Sequence, residues 1–343
     1  MELLPQQFRV PEIYGDYWLN SEPITLGALR GYVILIDFWD YTCMRCIRTL
    51  SYLKEWHNRY SEKGLILIGV HTPRFPFARD PINVRKAIDK LNIKYPVVMD
   101  NDYLIWNGFR SANWPTKILI DKHGFIRYVH AGEGQYQNFE HAIQSFLAGM
   151  SYDIDLPLVM DSLRETDRPG VICYRETPEI LTGWQRGTIG NVEGYSPEST
   201  IRYKDPQYHV EGRLYLDGDW FNDRNYLKLE TANPAGGYLT FLYQASEVDT
   251  VIKPEGEKGF QVFVIQDGMP ISRGDKGIDI RYDEEGKSYF IVDDARVYNI
   301  VKNREYGEHK IKLTSRSNGF AVYAISFVTS VIKELEPTYS IKN

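Results

Sequence analysis

The chain has 343 residues, a net charge of −6, 43% hydrophobic and 25% charged residues. That is an ordinary globular composition, long enough for two domains, and its acidic balance argues against nucleic-acid or anionic-membrane partners, which need a basic face. Three cysteines are too few for a disulfide framework, and no apolar run is long enough to predict a membrane span.

The N-terminus, Met1 to Arg9, has no basic stretch followed by an apolar core. The expectation is a cytoplasmic protein, or an exported one if the sequence has been trimmed. From Asp16 the pattern predicts strand, turn and strand, with Tyr17 to Asn20 and Pro23 to Leu26 extended. Val33 to Phe38 is almost continuously apolar, as in a central strand buried on both faces. Thr42 reads as an N-cap opening a helix from Cys43 to about Tyr60, with Ile47, Leu50, Leu53 and Trp56 on its inner face. Leu65 to Val70 is a second buried strand. Asp80-Pro81 opens a helix with core positions Val84, Ala87, Ile88 and Leu91. A short strand at Pro96 to Met99 and a helix near Asp102 to Phe109 follow. Trp114-Pro115-Thr116 leads into a strand to Asp121, a hairpin at Lys122-His123-Gly124 into Phe125 to His130, and a last helix from Asn138 to Ala148 with Ile143, Phe146 and Leu147 inward.

This alternation predicts an α/β domain over residues 1–150. Residues 151–200 are irregular and read as a linker packing between domains, with a short helix at Pro157 to Arg164. Residues 201–343 carry many short alternating segments, among them Arg213 to Leu216, Asn225 to Leu229, Tyr238 to Tyr243, Phe260 to Val264, Tyr289 to Val292, His309 to Leu313 and Phe320 to Phe327. Turn clusters at Asp217-Gly218-Asp219, Ala235-Gly236-Gly237 and Asp283 to Gly286 separate them. The expectation is an all-β, jelly-roll-like sandwich.

The chemistry points to Cys43-Met44-Arg45-Cys46, a C-x-x-C between a buried strand and a helix. A thiol attacks a disulfide only as thiolate, and a helix N-terminus with Arg45 and Arg48 nearby lowers its pKa. Cys43, in the first turn, is therefore read as nucleophile, and Cys46, one turn further in, as the shielded resolving thiol. Cys173 and scattered histidines offer no second ligand pair at zinc spacing, so no metal is predicted. A peroxiredoxin arrangement is disfavoured because Thr42 abuts Cys43. Asp37, in the buried strand, is a candidate proton acceptor for Cys46, the alternative being a structural carboxylate. Pro115, if cis, would expose backbone for pairing with an extended substrate, the alternative being an ordinary loop proline.

These residues resemble a known family. Asp37-Phe38-Trp39 before the dithiol and Trp114-Pro115 before a late strand resemble the thioredoxin superfamily, TlpA-like branch. Tyr41-Thr42-Cys43, Gly69 to Pro73, Asp100 to Tyr103 and Gly132-Glu133-Gly134 are similar to the soluble region of DipZ-type proteins. The resemblance implies a thioredoxin-like domain followed by a carbohydrate-binding-module-like β-sandwich. The chain departs from the family in its Met-Arg dipeptide and in Asp40, and no membrane domain is expected in it.

The resulting expectation is a thiol–disulfide oxidoreductase, chiefly a reductase of disulfide-containing proteins. It would need an unidentified electron donor and no cofactor beyond its own Cys43–Cys46 disulfide. Trp39, Tyr41, Met44, Arg45 and Trp114 are expected to line the substrate-binding surface, and Glu133 could border it. The alternatives are a glycan- or protein-binding module with a vestigial dithiol, and a disulfide oxidase or isomerase. Trp184, Trp220, Tyr215, Tyr226 and Tyr243 could stack on a sugar, although core packing explains them more simply. His71 is expected to be a hydrogen-bonded loop residue and Cys173 a buried thiol.

Overall fold

The computed structural model describes residues 8–15, 17–150, 154–230, 237–256 and 258–335. The Ala235-Gly236 turn, the start of the N-terminal segment and Asp16 lie outside the described residues. The chain divides into two compact units, Met1–Pro169 and Gly170–Asn343.

In the first unit the strands are β1 Phe8–Arg9, β2 Trp18–Leu19, β3 Val33–Trp39, β4 Leu65–His71, β5 Val97–Met99, β6 Thr116–Ile120 and β7 Phe125–Ala131. The helices are α1 Met44–Tyr60, α2 Pro81–Lys90, α3 Leu104–Gly108 and α4 Tyr136–Ala148. They build one seven-stranded sheet in the order β1-β7-β6-β3-β4-β5-β2. Every residue of β3 is buried, which is why its sequence does not alternate. β3 runs parallel to β4 and antiparallel to β6. The end of β3 where α1 begins is therefore a point where the sheet changes direction, and such points expose strand ends and helix N-termini for chemistry. Helix α1 buries Leu50, Leu53, Trp56 and Tyr60, and Gly64, at φ +98°, ends its 3-10 extension. Asp80 caps α2 as its sequence predicts, its carboxylate accepting from Ile82 N.

Two expectations in this unit fail for the same reason: side chains capture the backbone. Pro23 to Leu26 is not a strand. The Glu12 carboxylate accepts from Leu26 N and Gly27 N, and Leu26–Leu29 winds into a 3-10 turn capped by Thr25. Pro157 to Arg164 is not a helix. Arg59 and Gln144 donate to Leu158 O and Pro157 O, while Glu140 and Tyr52 take Met160 N and Leu163 N. Residues 154–169 thus form a strap held on α1 and α4.

The second unit contains β8 Ile180–Leu181, β9 Thr200–Tyr203, β10 Leu214–Asn222, β11 Leu227–Leu229, β12 Gly237–Pro254, β13 Phe260–Gln266, β14 Met269–Pro270, β15 Arg281–Tyr282, β16 Ser288–Val292, β17 Arg296–Ser315 and β18 Phe320–Val328. Among the described residues they join in one hydrogen-bonded network, in which β12 pairs with β10, β17 and β18. The predicted turn at Asp217-Gly218-Asp219 is a bend inside β10. The strand pairs with β12 as far as Asp217 and with β9 from Gly218, whose φ is +100°. Trp220, Tyr215 and Tyr243 lie in the core. Trp184 is half-buried with its indole N–H on Glu198, and Tyr226 packs on Tyr323. Cys173 is half-buried and outside any disulfide, not fully buried as its sequence context suggests. Among the described residues no helix is long and apolar enough to cross a membrane.

Candidate active site

Strand β3 ends at Trp39, and the turn Asp40-Tyr41-Thr42 delivers Cys43 to the start of α1. Cys43, not Thr42, is the N-cap: its φ and ψ are −98° and 107°, and its Sγ accepts from Cys46 N at 3.3 Å. Thr42 lies one residue before the cap, where its hydroxyl and its amide both donate to Asp40 Oδ1, each at 2.5 Å. The Cys43 sulfur thus stands at the N-terminal end of the helix with a backbone donor directed at it. Cys43 is 4% exposed and Cys46 1%, and the two are not joined. Burial, first of all, pushes the Cys46 thiol well up; its hydrogen bond with Cys43 and the nearby Cys43 and Asp37 push it further the same way.

Asp37 points into the same buried region, with Oδ1 lacking any hydrogen-bond partner. Burial pushes its carboxyl up to about 7 against the opposing pull of Lys117. Lys117 sits directly across from Asp37 in the β3–β6 register. Burial lowers its ammonium to about 8, and its Nζ donates to Gly132 O at 2.9 Å. Sequence reasoning missed this lysine. The signal was a single cation heading the otherwise apolar run Lys117 to Ile120, on a strand able to pair with the one that carries a buried acid.

The Trp114–Pro115 peptide is cis. Thr116 pairs with Phe38, so Pro115 lies at the same end of the sheet as Trp39. Pro115 O accepts from Gly132 N at 2.7 Å, and the Trp114 indole donates to Thr72 O at 2.9 Å. Met44 and Trp114 are half-buried and Arg45 is exposed. Trp39 and Tyr41 are buried instead, packed edge-on and stacked against His71 at 5.3 and 5.6 Å. His71 is the last residue of β4, not a loop residue, and neither ring nitrogen has a hydrogen-bond partner. Burial lowers its pKa. Glu133 is clamped by Arg48, at 2.8 and 2.6 Å, and by Arg164 at 3.1 Å. Burial alone would push this carboxyl up, but the two guanidinium groups hold it below its usual value. Among the described residues, no three His, Cys, Asp or Glu side chains gather as a metal site.

Residues 7–129 match the AhpC/TSA family, and residues 177–327 match the family described as thioredoxin like C-terminal domain. Protein DipZ of Mycobacterium tuberculosis is 31% identical over 269 residues, covering 76% of this chain and 36% of that protein. NHL repeat-containing protein 2 of Gallus gallus is 36% identical over 138 residues, or 39% of this chain and 19% of that protein. Thiol-disulfide oxidoreductase ResA of Halalkalibacterium halodurans is 30% identical over 115 residues, covering 33% of this chain and 62% of that protein. The chain spans about a third of the length of DipZ. The chain thus resembles the thioredoxin superfamily, in its TlpA-like and DipZ-like part.

Proposed function

We propose that the chain reduces protein disulfides, with Cys43 as nucleophile and Cys46 as resolving thiol. The observation that carries this reading is the asymmetry of the two sulfurs. One caps a helix and accepts a backbone hydrogen bond; the other is buried beside Asp37 and held protonated.

The Cys43 thiolate attacks a substrate disulfide, forming a mixed disulfide and releasing one substrate thiolate. Cys46 then gives its proton to the Asp37 carboxylate and attacks Cys43 Sγ. The Cys43–Cys46 disulfide forms, the second substrate thiolate leaves and takes up a proton, and two electrons have passed to the substrate. A dithiol donor must return the pair to its reduced form. Met44, Arg45 and Trp114 would meet the substrate, with Pro115 beside them. Trp39 and Tyr41 would act from beneath, through His71.

Insulin reduction driven by dithiothreitol tests the proposal. Wild type should be active, Cys43→Ser inactive, and Cys46→Ala should accumulate a mixed disulfide with substrate. Equal activity of wild type and Cys43→Ser would remove the proposal.

A further inference from the structure

We propose that Asp40 is a positioning residue for the dithiol, tying the turn that carries Cys43 to the loop after β4. The assignment builds on the reading of Cys43 as nucleophile. Asp40 is fully buried, where a carboxylate is costly unless its oxygens are satisfied, and both are. Oδ1 accepts from the amide and the hydroxyl of Thr42. Oδ2 accepts from Arg74 N at 2.7 Å. The main-chain oxygen of Asp40 accepts from Cys43 N at 3.1 Å. One residue therefore binds the amides of Thr42 and Cys43 and reaches across to a second loop.

That second loop is itself fastened to the site. Thr72 N donates to Trp39 O at 3.0 Å, Arg74 Nη1 reaches Thr42 O at 3.5 Å, and Thr72 O holds the indole beside cis-Pro115. Asp40 thus joins the nucleophile turn to the loop that also holds the cis-proline segment. His71 Nε2 lies 3.9 Å from Oδ2, too far for a hydrogen bond, so the histidine packs under the tie without completing it.

Charge and position predict opposite outcomes. A negative charge close to a thiol disfavours its thiolate, so if charge were all that mattered, removing Asp40 would make Cys43 more reactive. If Asp40 positions Cys43 at the helix start, removing it makes Cys43 less reactive, because Sγ loses its alignment with the backbone donor.

The test is the second-order rate of Cys43 alkylation by iodoacetamide in the reduced full-length chain, from about pH 5 to pH 9, the range in which a tuned thiol titrates. Asp40→Asn and Asp40→Ala are expected to slow alkylation at neutral pH roughly fivefold, as for one lost capping interaction, and to move the midpoint of the pH profile upward. An unchanged or faster rate in the folded variants overturns the assignment. If neither variant folds, amide hydrogen exchange in wild type decides. Joint protection of the Thr42 and Arg74 amides supports the tie, and exchange of both at unprotected rates overturns it. Insulin reduction by wild type, measured in parallel, tests the oxidoreductase reading separately.

Discussion

Asp37 and Lys117 face each other in the buried sheet, and burial opposes the charge of both. Asp37 rises to about 7 and Lys117 falls to about 8. For Asp37 the folded pKa exceeds its ordinary value of 3.8. Its stabilising contribution is therefore complete below that value and is lost as pH rises through about 7. For Lys117 the sign reverses: the contribution is present above its unfolded value of 10.5 and is lost as pH falls through about 8. Asp37→Asn should consequently gain stability relative to wild type as pH rises from about 4 to about 7, by a few kcal/mol at most. Urea unfolding across that range checks this; a difference independent of pH would contradict it. The same variant should slow the resolving step on the order of 10²-fold, the usual worth of a positioned base, read as longer-lived mixed disulfide. Lys117→Met removes the group that lowers Asp37 and should move the pH midpoint of resolution above about 7; an unmoved midpoint would exclude a role for Lys117.

At the scale of elements, the strap 154–169 depends on a few buried acceptors. Glu140 is fully buried and accepts from Arg59, Tyr60 OH and Met160 N. Glu140→Ala leaves Arg59 and Tyr60 without this acceptor and frees the strap, so a loss of about 3 kcal/mol is expected, with faster exchange of the Met160 amide. A stability unchanged within error would mean that the strap is not anchored there. The strap also shows where sequence reading stops. Apolar runs and caps made β3, β4, α1 and α2 legible, since those signals are local. The strap's backbone partners come from α1 and α4, more than ten residues away in the chain, and no local pattern announces them. The cap of α1 was misplaced for a similar reason. Thr42 is a better N-cap than cysteine by propensity, but its hydroxyl is turned to Asp40, two residues earlier, and the helix starts one residue later.

For the molecule as a whole, alternation in sequence revealed that the second unit is built of strands, but not how long they are. β12 and β17 run 18 and 20 residues, past the segments predicted within them, because β12 keeps β17 along one edge while its other edge passes from β10 to β18. Trp220, with no exposed surface in this core, should cost about 3–5 kcal/mol when cut to alanine, measurable by thermal unfolding. At the candidate site, the two cysteines, Asp37 and Pro115 could be singled out from sequence, because a C-x-x-C, a buried acid and an aromatic-proline pair each leave a local mark. Lys117 and the Asp40 tie could not, because both depend on which strands and loops become neighbours. The most direct test of the account is a redox titration of the full-length chain in glutathione buffers, with thiol alkylation and mass spectrometry locating the modified residues. The account predicts a single two-electron transition confined to Cys43 and Cys46, toward the reducing end of the dithiol range at roughly −270 mV. Failure of Cys43 and Cys46 to form a disulfide with each other, or a transition near roughly −120 mV as in strong oxidants, would contradict it.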